Sequence, residues 1–452
     1  MLQFETLPPS FAVLLAVLRP CFTAPSFRTF TALVAGMIAI PQRRTITGML
    51  TGAGLAGIWH HSRAYWFFGR ARWCLDQVSV AVTRLVVSCL LAPDAAVLIA
   101  VDDTLFHRSG RKVHAAGWHH DGAAKGPRGT TIAWGNSWVI AAIVVTLPFC
   151  DRPVGLPVGF GLWTAGGPTK QVIAGRLVTA ITAACPGRPV HVVADSHYAG
   201  ADGAPGATHG ANRHRGLPAG VTLTSRLRAN AKLHAIAPAA PGKGGRPKRI
   251  GALLGTPKHL ATTTTAWTRT QVTRYGRRDT VDLADTVCLW YGAYRSRAVR
   301  VILLRETTGS PTAGHHLALI TTDLTSPADT IVARYAARWS IEVAIEDAKQ
   351  ITGVGQTRTR TPAAVTRTVP FGLITQTLVV TWYTLHGNPQ ATVTERRAHA
   401  PWYRSKTQPA YHDMISKLRR TLITAKFRAG RPTQPTPQET HAVLMSWAEA
   451  AA

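Results

Sequence analysis

Along the chain, the apolar positions fall into blocks whose spacing changes. From residue 1 to about 90 they recur at helical intervals. Residues 11–18 and 31–40 are compact apolar runs closed by Pro20 and Pro41, and 45–49 and 55–59 continue the pattern between the glycines at 52, 54 and 57. Ser62 stands as an N-cap ahead of Arg63, Ala64, Tyr65, Trp66 and Phe67. Near residue 95 the texture shifts. Residues 96–101 form a continuous apolar run that stops at Asp102, Asp103 and Thr104, as expected of a buried strand with acids at its carboxyl end. Residues 131–148 add further strand sequence. Thr169 then opens a helix with Ile173, Leu177, Ile181 and Ala184 on one stripe, and 191–194 is an apolar strand ending in Asp195. A strand, helix, strand order predicts an α/β unit with a right-handed crossover.

Beyond a Gly/Pro/His-rich loop at 200–220 the pattern becomes mainly β. Residues 221–228 alternate, with Val221, Leu223, Ser225 and Leu227 on one face and Arg226 and Arg228 on the other. A basic Gly/Pro loop follows at 238–250, then strand candidates at 286–291, 298–305 and 317–322. Helices return after 328, including an apolar stretch at 370–385, and the tail from 396 is basic and aromatic. The expected organisation is therefore a helical N-terminal region (1–92), the first part of an α/β core (93–220), a β-rich insertion (221–325), the second part of the core (326–390) and a basic C-terminal region (391–452).

Composition narrows the function classes. The 452 residues carry 51 Lys+Arg against 22 Asp+Glu, a formal charge of +29, yet 46% are hydrophobic, which excludes a disordered basic tail and predicts a polyanionic partner for a folded protein. The N-terminal apolar runs fall short of the roughly 20 residues that span a bilayer, so no membrane role is expected. Glu5 and the lack of a positive start argue against a secretory signal. The six cysteines are scattered without a CxxC pair, which suits a reducing, cytoplasmic, nucleoid-associated location rather than a disulfide framework or zinc ribbon. His114, His119 and His120 lack a companion ligand at zinc spacing and read as loop histidines.

With so few acids, their placement is informative. Asp102 or Asp103 and Asp195 end apolar strands, where ligand sites of α/β sheets form. A third group, Glu342, Glu346 and Asp347, lies in a predicted helix. Carboxylates brought together repel one another unless a cation neutralises them, and hard oxygen donors suit Mg²⁺ or Mn²⁺. On that helix Tyr335, Arg338, Glu342 and Lys349 fall within a stripe of about 60° at ~100° per residue. Glu346 lies near the same stripe, so geometry does not choose between the two glutamates. The stripe combines a metal ligand with two phosphate clamps and a hydroxyl donor.

The series Tyr335-x2-Arg338-x3-Glu342-x6-Lys349 resembles the YREK signature of bacterial insertion-sequence DDE transposases. Asp102-Asp103-Thr104 is similar to the family's Asp-x-Thr after an apolar strand, with Asp103 an alternative to Asp102. Asp195 follows Val192, Val193 and Ala194 as the second acid does. The resemblance selects Glu342 as the third acid and implies an RNase H-like mixed sheet with flanking helices, interrupted by a β-rich insertion. It implies two Mg²⁺ (or Mn²⁺) ions held by Asp102, Asp195 and Glu342, and cleavage at element ends followed by strand transfer into target DNA. A homodimer on double-stranded DNA follows from joining two ends. Tyr335, Arg338 and Lys349 would grip phosphates, with Arg226 and Arg228 beside the site and the basic loop at 243–249 along a groove. Trp267 or Trp290 is a candidate for stacking on a flipped base, and the N-terminal helices for binding DNA ends. The rival readings are a catalytically silent transposase-derived DNA-binding protein or repressor, and a metal-dependent nuclease without strand transfer.

Overall fold

The computed structural model describes residues 7–122, 132–199, 217–238, 248–307 and 315–428. The basic loop at 243–247, most of the 200–220 loop and the tail beyond 428 lie outside them. The helical start is present as α1 (Pro9–Ala16), α2 (Ala24–Ala39), α3 (Ile46–Gly52), α4 (Ser62–Gly69) and α5 (Leu75–Leu90). Thr45 caps α3 by accepting from the Gly48 N–H at 3.1 Å. Residues 55–59 form turns rather than the expected helix, with Gly54 at φ 71° breaking the pattern. Ser62 is the first helical residue rather than the cap, and its hydroxyl lies 2.7 Å from His60 Nδ1. The aromatic-rich segment is structural: Phe67 stacks on Trp73 with ring centroids 5.2 Å apart, and both meet Phe22.

One large sheet follows. Its strands are β1 (Val97–His107), β2 (Gly117–His120), β3 (Ile132–Val145) and β4 (Val154–Leu162), then, after α6 (Lys170–Ala184), β5 (Val190–Ala194) and β6 (Thr222–Arg226). A separate ribbon, β7 (Leu233–His234) and β8 (Leu253–Gly255), precedes α7 (Pro257–Thr263). The sheet then resumes as β9 (Thr268–Arg274), β10 (Arg277–Cys288), β11 (Val299–Glu306) and β12 (Leu317–Thr321), with the short α8 (Tyr291–Tyr294) between β10 and β11. The strand order is β2-β3-β1-β5-β6-β12-β11-β10-β9, with β4 also paired to β3. β3 runs antiparallel to β1, whereas β5 is parallel to β1 and β6 parallel to β5. With its flanking helices this is an RNase H-like mixed α/β core.

The sheet crosses the boundary expected at 221. β6 belongs to the core beside β5, and β12 joins it antiparallel, so β9–β12 extend the core sheet as a wing instead of forming a body apart. The alternation read at 221–228 is also incomplete. Thr224 and Ser225 are both buried, because a central strand is covered on two faces.

The chain closes with α9 (Ala328–Ala337), α10 (Trp339–Gln350), α11 (Pro362–His386), α12 (Pro389–His399) and α13 (Tyr411–Arg428). α10 packs on β4 and β1. The approach is close at Gly155, where a Cβ would sit 2.9 Å from the Ser340 carbonyl oxygen. α11 is the one helix among the described residues long and apolar enough to cross a membrane, and 83% of its apolar window is buried inside the protein. A continuous buried cluster runs from Phe11 through the sheet to Leu422, so the N-terminal helices share the core's interior.

Candidate active site

β1 does not stop at its acids. It runs on to His107 because β3 pairs with it residue by residue, Asp102 opposite Ile140 and Asp103 opposite Val139. The parallel partner β5 ends at Ala194, opposite Val101, so Asp102 and Asp195 are the next residues on adjacent strands. Period-two alternation sends the two neighbouring acids to opposite faces. Asp103 pairs with Lys170 at the start of α6 and accepts from the Tyr198 hydroxyl at 3.3 Å. Asp102 faces the junction of α9 and α10, where the helix expected to carry Tyr335 to Lys349 divides at Arg338, whose Nη1 lies 3.5 Å from Asp102 Oδ2.

Arg338 is shared. Its Nη2 donates to Glu342 Oε1 at 2.7 Å, its guanidinium lies 5.8 Å from the Tyr335 ring centroid, and its buried Nε has no partner. Burial works to lower the Arg338 pKa, but Tyr335, Glu342 and Asp102 together hold it above the usual value. For Asp102 the balance goes the other way. Burial pushes its pKa up to about 7 against Arg338 and the Asp103 amide, and the charges of Glu342 and Asp195 push the same way. One guanidinium thus serves a neighbourhood of three carboxylates, leaving surplus negative charge on hard oxygen donors from β1, the end of β5 and α10. That donor chemistry fits Mg²⁺ or Mn²⁺. Among the described residues no three His, Cys, Asp or Glu side chains already stand as a preformed metal cluster.

The other expected residues divide. Asp195 Oδ1 also accepts from the His197 N–H at 2.9 Å, capping the turn Ser196–Tyr198. Arg228 Nε donates to the Ser196 carbonyl at 3.3 Å, which keeps it beside Asp195. Arg226 is exposed, and its charge reaches Tyr335. Lys349 is pinned to β1, donating to Thr104 Oγ1 at 2.7 Å above the Phe106 ring. Glu346 is exposed and bound by Gln350 at 2.9 Å, away from this group. Asp347 lies on the opposite side of α10, near Tyr411, with its pKa raised to about 6 by burial and then by Glu346.

Other residues singled out in the sequence sit in the fold as follows. Trp290 is a core residue, packed 6.0 Å from the Tyr294 ring. Trp267 is half-buried beneath Arg305, whose guanidinium sits 4.3 Å from the ring centroid. His119 and His120 lie on the edge strand β2 rather than in a loop. Sequence reasoning missed Lys170 and Tyr198, and it gave Thr104 no partner. The signal was in the chain, since each stands within a few residues of a motif already singled out, but only the fold shows which acid or base each one holds.

The chain matches the DDE superfamily endonuclease family over residues 17–282, more than half its length, and belongs to it. The matched stretch contains Asp102 and Asp195 and ends before α10. No curated protein sequence matches the chain.

Proposed function

We propose that this chain is an insertion-sequence DDE transposase that cleaves DNA at element ends and joins the freed 3′-hydroxyl to target DNA. The observation that carries the reading is the shared guanidinium of Arg338, which links Asp102 to Glu342 across 240 residues of chain beside Asp195. Asp102, Asp195 and Glu342 would hold two Mg²⁺ ions. Divalent ions in such a site activate water and stabilise the leaving oxygen of a phosphodiester.

The protein's own groups set the conditions. Arg338 offsets part of the acids' charge while no cation is bound, through its contacts with Asp102 and Glu342. Tyr335 packs against the guanidinium and limits its orientations. Lys349 is held by Thr104 at the same face of β1, and burial lowers its pKa, so a phosphate drawn there meets a poorly solvated ammonium. Arg226 and Arg228 add positive charge where the strands of the core end. Asp103, engaged by Lys170 and Tyr198, acts as a fixed support for β1 rather than as a ligand. Two DNA ends require two active sites, so the working form is a homodimer on DNA.

The test mixes the protein with Mg²⁺ and DNA carrying the sequences that flank its own gene. Nicking followed by strand transfer is the expected result, with both lost in Glu342→Gln. Nicking without joining would reduce the reading to a nuclease, binding without nicking would favour a silent DNA-binding protein, and undiminished cleavage by Glu342→Gln would overturn the assignment of the third acid.

A further inference from the structure

A second basic feature lies away from the carboxylates, where the N-terminal helices meet the far end of β1. It is a cleft of about 970 Å³. One wall comes from the α3 region, with Arg43, Thr47 and Tyr65; the other from the end of β1 and the segment after α10, with Arg108, Arg358 and Arg360. Among the described residues, no carboxylate lines it.

The segment after α10 is patterned. From 356 to 360 exposure alternates: Gln356, Arg358 and Arg360 are exposed, while Thr357 and Thr359 are buried. Side chains two residues apart on an alternating chain are separated by about 6.6 Å. Successive phosphates of one DNA strand, each rising about 3.4 Å along the axis while winding around it, are spaced by a comparable distance. The register is anchored from below. Arg108, 8% exposed, donates to the Thr357 carbonyl at 2.8 Å and to Asn136 Oδ1 at 2.9 Å, and the Arg360 carbonyl accepts from the His114 N–H at 3.0 Å. On the opposite wall Arg43 is exposed and held at φ 52°, a conformation that non-glycine residues seldom adopt. Gln356 accepts from the Arg44 N–H at 2.7 Å and fastens the two walls together.

We infer that this cleft is a backbone track for one strand of duplex DNA, with Arg358 and Arg360 on one side and Arg43 on the other gripping successive phosphates. The inference rests on the transposase reading for the identity of the polyanion, and it deepens that reading by giving the N-terminal helices a share in the grip. Five residues of β1 separate Asp102 from His107 at the cleft, roughly 17 Å. Contacts of this kind hold register and affinity without reading sequence.

The test is metal-free binding of a fluorescein-labelled 25-base-pair duplex of arbitrary sequence, followed by anisotropy across a salt series. Arg358→Ala/Arg360→Ala should weaken binding at least tenfold at 100 mM salt and reduce the slope of log affinity against log salt by about 2. Arg43→Gly, which also suits the positive φ, should reduce the slope by about 1 and tests the opposite wall independently of the first variant's folding. Arg277→Ala/Arg278→Ala, exposed on the distant β10, should lose less than twofold. An unchanged slope in both cleft variants, or an equal loss in the β10 pair, would overturn the track. Because binding is scored without metal, a failure of Mg²⁺-dependent nicking would sink the transposase reading alone.

Discussion

The two halves of the sheet treat negative charge in opposite ways. In the wing, β9–β12 and the turn after them, each acid named below meets at least one arginine. Arg274 grips Glu306 with two hydrogen bonds of 2.8 and 2.7 Å and reaches Asp279 at 2.7 Å. Asp282 lies between Arg269 and Arg305, Asp285 pairs with Arg300 at 2.6 Å, and Asp323 with Arg334 at 2.8 Å. Hydrogen bonds from Arg269 hold the Asp282 carboxyl below its ordinary range, and those from Arg274 do the same for Glu306. In the core half, among the described residues, Arg338 is the one arginine ion-paired to Asp102 and Glu342, and the Asp102 pKa is pushed up to about 7, chiefly by burial. Acids that hold the fold together are matched by bases. Acids left short of positive charge have a different task, and in the proposed reading a divalent cation would supply what they lack.

Substitution of acids by amides separates the two behaviours. The largest effect is expected at the core. Asp102→Asn should lower the rate of DNA cleavage by on the order of 10³-fold without loss of thermal stability, because the fold disfavours the charge that is removed. Asp103→Asn should change the rate by less than about tenfold, since its carboxylate faces Lys170 and Tyr198. Equal losses in the two variants, measured as nicking rates, would erase the distinction between the faces of β1.

In the wing the sign reverses. Burial raises the Asp323 pKa, but hydrogen bonds from Ser326, Thr325 and Arg334 outweigh it and hold the carboxyl far below its usual value. A depressed folded-state pKa contributes stability above the unfolded pKa near 3.9, and that stability is lost as pH falls through the folded value. Asp323→Asn should therefore cost about 2 kcal/mol in denaturant unfolding at pH 5–8. The deficit should shrink only in strong acid, below the unfolded pKa, and a constant deficit down to pH 2 would show that packing rather than charge is responsible. The smallest effect belongs to the link between β1 and α10. Thr104→Val removes the acceptor of Lys349 and should cost about 1 kcal/mol, read from the same unfolding curves.

Much of the core was legible because local signals and tertiary contacts agree there. Thr169 caps α6 by accepting from the Val172 N–H at 3.3 Å, the stripe of Ile173, Ile181 and Ala184 is buried, and Asp195 directly follows β5 as its apolar run implies. What failed depended on partners distant in sequence. The length of β1 past Asp103 is dictated by β3, and the membership of β6 in the core is dictated by β5, neither of which leaves a mark in the strand's own pattern. Charge was legible as a total but not by position. Arg44 is buried, whereas Arg358 and Arg360 line the cleft from a stretch that carries no helix or strand. The proposed carboxylate site was reached through strand-end acids and the family resemblance, but the sharing of Arg338 between Asp102 and Glu342 required the fold.

The most direct test of the account is a count of divalent ions. Isothermal titration of the DNA-free protein with Mn²⁺ should give two sites per chain that weaken at least tenfold in Asp102→Asn and persist in Asp323→Asn. Absence of binding in the wild type, or equal binding in all three proteins, would contradict the claim that the under-neutralised carboxylates of the core are a metal site.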